Sequence, residues 1–313
     1  MTKVFKELKS NLVSTDIYVI SIVLINFIFT IALFSRIQAP LLIITSNIGI
    51  LAIIAFTSTN KFAEILKSRL LLVKLLYILP IVFIIYDQTQ IFIRIINPHL
   101  YDNLLIQWDL YIFGFNPNDA IEILYNPWLT EFLQFSYMTF FLMPVAHCVE
   151  MYLSKRYDEF DSVARLITFA FFFSYLLYYF MPAIGPRFTL YDFQNLSMEI
   201  PGVWLADTFR HIINTGGGIV DNGINPALLV NRDCMPSGHT MMTIANLYIA
   251  WKNRSKLRFI FYIFGVSLIF STVYLRYHYV VDLFAGAIFA IIAIFLEPKV
   301  NKLITGKFKK LTF

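Results

Sequence analysis

The chain is expected to fold as an all-α integral membrane protein with about eight transmembrane helices, and three observations predict this. Its 313 residues are 58% hydrophobic and only 14% charged, whereas about a quarter of the residues in soluble domains are charged. The mean hydropathy is +0.67. The apolar residues are also gathered into runs close to the roughly 20 residues that a helix needs to cross a bilayer. Aromatic residues make up 17% of the chain, with 32 Phe and 18 Tyr. Tyr and Trp collect at membrane interfaces, and Phe faces lipid or fills gaps between helices. A pI near 9.0 points to nucleic acid in a soluble protein. Here the basic residues lie in short segments between apolar runs, so they report topology and no nucleic-acid partner is expected. With only Cys148 and Cys234 present, neither a disulfide nor a cysteine metal site is expected.

The runs lie at about residues 17–35, 40–58, 69–88, 130–152, 162–182, 237–251, 257–275 and 278–297. The first is long enough to span and lacks a small-residue cleavage pattern, so it reads as an uncleaved helix. Residues 1–60 read as an accessory pair of helices, 61–300 as a six-helix core and 301–313 as a basic tail. The sixth run is short and polar at its start, and charge placement supports it. With the N-terminus inside, 19 of the 25 Lys and Arg residues fall on the inner side, among them Lys3, Lys6, Lys9, Lys67, Lys74, Arg165, Lys307, Lys309 and Lys310. Arg36, Arg94, Arg187, Arg210, Arg232 and Arg276 fall outside. Omitting the sixth run would put Lys252, Arg254, Lys256 and Arg258 on the wrong side, so both termini are expected in the cytoplasm.

Two outer segments exceed simple connectors. Residues 89–129 contain Trp108, Tyr111, Tyr125 and Trp128 around the break Gly114-Phe115-Asn116-Pro117, and are expected to form one or two helices lying in the interface. Residues 183–236 carry Pro186, Pro201 and Thr215-Gly216-Gly217-Gly218. Loops of that length are usually functional or disordered.

The chemistry is concentrated in Pro236-Ser237-Gly238-His239 and His278-Tyr279-Val280-Val281-Asp282. The helical hairpin between them returns both histidines to one membrane face. Pro236 suits a first helical turn and Gly238 a close backbone approach, and free amides at a helix start bind phosphate. A second helix N-terminus is expected near His278. Asp282 follows His278 by four residues, one turn on and on the same side, where a carboxylate fixes the imidazole tautomer and stabilises its charged form. Arg187 reaches the same face with a planar donor suited to phosphate oxygens. These residues allow His278 to attack phosphorus and form a phosphohistidine while His239 protonates the leaving oxygen and then activates water or an alcohol. Arg187, Arg276 and the amides of Ser237 and Gly238 are the expected stabilisers of the equatorial oxygens. No metal or cofactor is required by this scheme, so turnover is expected in chelator. Cys234 is assigned to packing, and His99, His147 and His211, which lack a partner motif, to structure.

The paired motifs resemble those of the type 2 phosphatidic acid phosphatase superfamily, which combines Pro-Ser-Gly-His with a later His-x-x-x-Asp. The resemblance covers the chain from about residue 100 onward and leaves residues 1–60 outside. The stretch from Trp108-Asp109 to Gly114-Phe115-Asn116-Pro117, with Thr272 to Tyr279, looks like the inositol phosphorylceramide synthase-like branch. The resemblance implies a catalytic triad of His239, His278 and Asp282. Arg187 matches the first motif loosely, because Phe180 stands where a lysine is expected. Ser271-Thr272 replaces the expected Ser-Arg, which leaves Arg276 as the candidate replacement charge.

The implied activity is a lipid phosphatase or phosphotransferase at the extracytoplasmic face, with a phospholipid or polyprenyl phosphate as substrate and water or a lipid alcohol as acceptor. A non-enzymatic lipid carrier is the rival reading. Carriers place their charged groups near the midplane of repeated halves, and no repeat is evident here.

Overall fold

The computed structural model describes residues 11–66, 69–220 and 224–305. The principal helices are α1 (Ser14–Ala32), α2 (Pro40–Thr57), α3 (Arg69–Ile96), α4 (Asp102–Phe113), α5 (Pro127–Leu153), α6 (Tyr157–Leu177), α7 (Ala206–Gly216), α8 (Gly238–Lys252), α9 (Arg258–Tyr274) and α10 (Val280–Thr305). Among the described residues, α1, α2, α3, α5, α6 and α10 are long and apolar enough to cross a membrane. The expected sixth and seventh runs form α8 and α9, of 15 and 17 residues. All eight runs are helices, then, and six have the length of a span. Lys3, Lys6, Lys9, Lys67, Lys307, Lys309 and Lys310 lie outside the described residues, as does most of the 301–313 tail.

Two boundaries differ from expectation for identifiable reasons. Helix α3 continues to Ile96 because its polar residues find partners within the fold. Gln88 accepts from Asn26 Nδ2 at 2.7 Å and donates to Ser46 Oγ at 3.0 Å, and Arg94 donates to the carbonyls of Leu228, Leu229 and Val230. The interfacial segment is correspondingly shorter. It consists of α4 and two short turns, Pro117–Ala120 and Ile121–Leu124. Helix α6 stops at Leu177 rather than near 182, since Pro182 cannot donate to a helical ladder.

Helix α8 is the axis of the bundle and packs against α5, α6, α9 and α10. Met241, Ala245 and Ile249 enter a core shared with α1, α3, α5, α6 and α10. Burial of this kind stabilises a membrane bundle through close packing, because lipid tails are themselves apolar. Helix α1 lies against α6 and is fixed by buried polar groups. Tyr18 donates to Glu297 at 2.8 Å, Arg165 Nη1 donates to the same carboxylate at 2.5 Å, and Lys74 pairs with Asp16. Lys74 and Arg165 therefore sit inside helices as ion-pair partners, not in loops. At the same end Glu150 accepts from the Lys256 amide at 2.6 Å, and Arg156 donates to the Asn253 carbonyl. These ties hold one end of the bundle, and the paired motifs lie at the other.

Candidate active site

The N-terminus of α8 is built by its own sequence. Ser237 is the N-cap, and its side chain accepts from the Thr240 amide at 3.2 Å. Pro236 precedes the cap instead of occupying the first turn. The Ser237 amide donates to the Asp282 carbonyl at 3.0 Å. It therefore joins α8 to α10 and is committed there, whereas Gly238, the first residue of α8, lines the cavity. The expected second free helix N-terminus, at α10, is already filled. Asp109 of α4 accepts from the amides of Val280 and Val281, both at 2.9 Å, and Asp282 accepts from the Tyr279 amide at 3.0 Å. Burial pushes the Asp109 carboxyl up to about 6, although the two amide donors pull it down.

His239 and His278 face each other with ring centroids 5.7 Å apart. His239 is held between Tyr137 and Phe140 of α5, at 4.5 and 4.3 Å. His278 Nδ1 stands 3.4 Å from Asp282 Oδ2, so its Nε2 is the nitrogen left for the cavity. Asp282 is fully buried. Its Oδ2 also takes the Cys234 thiol proton at 2.8 Å, and the Cys234 sulfur lies 3.4 Å from His278 Nδ1. Burial and the nearby Asp282 charge both push the thiol pKa upward. Cys234 is thus bonded to both members of the pair, which sequence reasoning missed. A cysteine five residues before a histidine carries no periodic signal that marks it.

Arg187 is buried and lines the cavity. Its Nη1 donates to Asn214 Oδ1 at 2.7 Å, and its guanidinium lies 4.6 Å from the Tyr277 ring centroid. Burial lowers its pKa, but an arginine remains cationic in a protein. Its place is fixed by backbone geometry. Gly185 has φ +93°, and a Cβ there would meet the Tyr277 carbonyl at 2.5 Å. The amides of Ile184 and Gly185 end on Asp102, at 3.1 and 2.8 Å, and the Arg187 amide donates to the Arg276 carbonyl at 3.0 Å.

Arg276 itself is turned away. It has φ +62°, its guanidinium pairs with Glu122 at 2.7 Å and with Glu199, and it lies 3.5 Å over the Tyr191 ring. The structure brings His239, His278, Gly238 and Arg187 to one cavity, with Asp282 and Ser237 behind them, and does not bring the Arg276 side chain there. Of the histidines assigned to structure, His147 is buried against Asn246 at 3.2 Å.

The cavity has a volume of about 330 Å³. A narrow apolar cleft between α3, α5 and α6 shares Phe83, Phe141 and Phe171 with it. Cys234, His278 and Asp282 each offer a ligand atom, all within 4.8 Å of one another. This donor set is compatible with a metal ion.

No curated protein and no solved structure matches this chain. Residues 105–296, more than half of its length, match the PAP2 superfamily, and the matched region contains both histidine motifs. The protein is a multi-pass membrane member of the PAP2 superfamily.

Proposed function

We propose that the protein is a membrane-embedded lipid phosphatase or phosphotransferase acting through a phosphohistidine. The observation that carries this reading is the opposition of His239 and His278 across one cavity, with Asp282 behind His278 Nδ1. The Nε2 lone pair of His278 attacks phosphorus, forming an N–P bond as the P–O bond to the leaving group breaks. His239 gives its proton to the departing oxygen. In the second step His239 takes a proton from water or an alcohol, whose oxygen attacks phosphorus and releases His278. Arg187 and the Gly238 amide stabilise the phosphoryl oxygens throughout.

A lipid substrate is supported by the apolar cleft that meets the cavity at Phe83, Phe141 and Phe171. Helices α3 and α5 both border it, and the rings of Phe83 and Phe141, which line both the cleft and the cavity, stand 4.8 Å apart. An acyl or polyprenyl chain entering from the bilayer would follow this path. Loop charges such as Lys155, Lys252 and Arg254 lie at the opposite end from the cavity, which favours cytoplasmic termini and an extracytoplasmic site. The helices before residue 61 are an accessory pair added to the phosphatase-type core in this reading.

Transfer of a phosphorylated head group to a lipid hydroxyl, of the inositol phosphorylceramide synthase-like kind, is the second reading. It is favoured by the polar side chains of Tyr86, Asn231 and Asp233, which line the cavity beside the histidines. The test is turnover of phosphatidate, a polyprenyl diphosphate, and phosphatidylinositol with or without ceramide, each in chelator and each against His278→Ala. Inorganic phosphate that disappears in the variant supports the phosphatase, and a new phospholipid formed only with acceptor supports the transferase. Activity that vanishes in chelator and returns with a divalent ion would assign the Cys234, His278 and Asp282 cluster to a metal instead.

A further inference from the structure

One charged group in the cavity has no part in the chemistry above. Asp233 lines the cavity alongside His239, His278 and Arg187. Among the described residues it has no cation within ion-pairing distance, and the donor that reaches it is the Tyr86 hydroxyl, at 2.6 Å to Oδ2. That hydroxyl in turn accepts from Asn231 Nδ2 at 3.1 Å. Tyr86, Asn231 and Asp233 therefore form a connected polar wall, contributed by α3 and by the loop before α8. The Tyr178 hydroxyl lies beside it, 2.2 Å from where a Cβ on Gly238 would stand.

A carboxylate facing a site for phosphate is unfavourable by Coulomb repulsion in a cavity of low polarity, and Asp233, half-buried and reached by a single hydroxyl, has acceptor capacity to spare. The cost is offset if the ligand itself supplies a donor to that wall. At about 330 Å³ the cavity is of the size that encloses a small organic ligand, beyond the needs of a phosphate alone. Resting on the reading that the histidine pair handles a lipid phosphate, we propose that Asp233, Asn231 and Tyr86 form a recognition subsite for a hydrogen-bond-donating head group. Such a group is a polyol or a primary amino alcohol that is esterified to the phosphate or serves as the alcohol to which the phosphoryl group is transferred. The substrate class favoured by this wall is a phosphodiester lipid with hydroxyl or ammonium donors beyond phosphorus, and a head group without donors is disfavoured.

The test compares lipids that share one diacylglycerol and differ beyond the phosphate. These are phosphatidylethanol, with no donor; phosphatidylcholine, with charge but no donor; phosphatidylethanolamine, with both; and phosphatidylglycerol and phosphatidylinositol, with neutral donors. Phosphatidate reports the phosphoryl chemistry itself. Cleavage or exchange is followed in wild type, Asp233→Asn and Asp233→Ala, with thermal unfolding confirming that the variants are folded. Wild type is expected to favour the donor-bearing lipids over phosphatidylethanol by at least about tenfold in kcat/KM, the size of a hydrogen bond to a charged group. In Asp233→Ala that ratio is expected to fall toward one, and Asp233→Asn, which keeps an acceptor oxygen, to retain part of it. Equal use of phosphatidylethanol in wild type, a ratio unchanged in Asp233→Ala, or choline preferred as strongly as ethanolamine would each overturn the subsite. So would turnover confined to phosphatidate, which leaves the underlying phosphatase reading intact. Failure of every lipid, phosphatidate included, would sink both.

Discussion

The Cys234 thiol donates to Asp282 Oδ2 at 2.8 Å, closer than the 3.4 Å between that oxygen and His278 Nδ1. The carboxylate is therefore shared between a permanent donor and the imidazole it is expected to orient. Replacing Cys234 with Ala removes one bond from a fully buried carboxylate, a loss of about 1.5–3 kcal/mol for a hydrogen bond to a charged group. Cys234→Ala is expected to lower kcat on a lipid phosphate by about tenfold or more with little change in KM, and Cys234→Ser, which keeps a donor, to recover much of it. An unchanged kcat in the alanine variant would reduce the thiol to packing.

Arg276 acts on the site through its backbone. Its guanidinium is committed to Glu122, Glu199 and the Tyr191 ring, and its carbonyl holds the Arg187 amide. Both carboxylate partners are about half exposed, so they can rehydrate when the arginine is lost. The cost of Arg276→Gln should fall below the 3–5 kcal/mol of breaking a fully buried pair, at about 1–2 kcal/mol. The expected result is a lower unfolding temperature with a smaller change in KM. A large rise in KM at unchanged stability would return Arg276 to the phosphate site.

Much of this was legible in the sequence, and the exceptions have physical causes. The eight apolar runs recur as eight helices because hydropathy and length dominate inside a bilayer. His239, His278 and Asp282 stood out as ionisable residues at the ends of apolar runs. The commitment of Arg276 was hidden because its partners lie 77 and 154 residues away in segments with no regular pattern. Filling of the α10 N-terminus by Asp109 was hidden likewise, since the carboxylate comes from a helix 171 residues earlier. The extension of α3 past residue 88 was missed because Gln88, Gln90 and Arg94 read as solvent-facing until their intramolecular partners are known.

Asp109 gives the fold a pH dependence of definite sign. Its carboxyl, pushed up to about 6 by burial, titrates near 3.9 in an unfolded chain. Between those values the folded protein holds the extra proton. This contribution to stability is full below about pH 4 and is lost as the pH rises through about 6, amounting to about 1–3 kcal/mol. Relative to Asp109→Asn, which does not titrate, wild type should lose unfolding temperature between pH 4 and pH 7. Parallel curves for the two proteins would show that Asp109 does not carry the effect.

Two glycines should respond differently to alanine. At Gly185 the left-handed φ and the Tyr277 carbonyl 2.5 Å from the new Cβ leave backbone facing backbone. Gly185→Ala is expected to cost about 2 kcal/mol or more and to lower activity by displacing Arg187. At Gly238 the obstacle is the tip of Tyr178, which can swing aside, so Gly238→Ala should fold normally and be impaired mainly in KM. Comparable unfolding temperatures for the two variants would contradict this.

The most direct test is to trap the intermediate. Protein incubated briefly with a lipid labelled at phosphorus, quenched in denaturant at high pH and digested, should carry label that is stable to base and labile to acid. It should map to the peptide containing His278, persist longer in His239→Asn, and be absent from His278→Ala. Label on another residue, or full turnover by His278→Ala, would contradict the account at its centre.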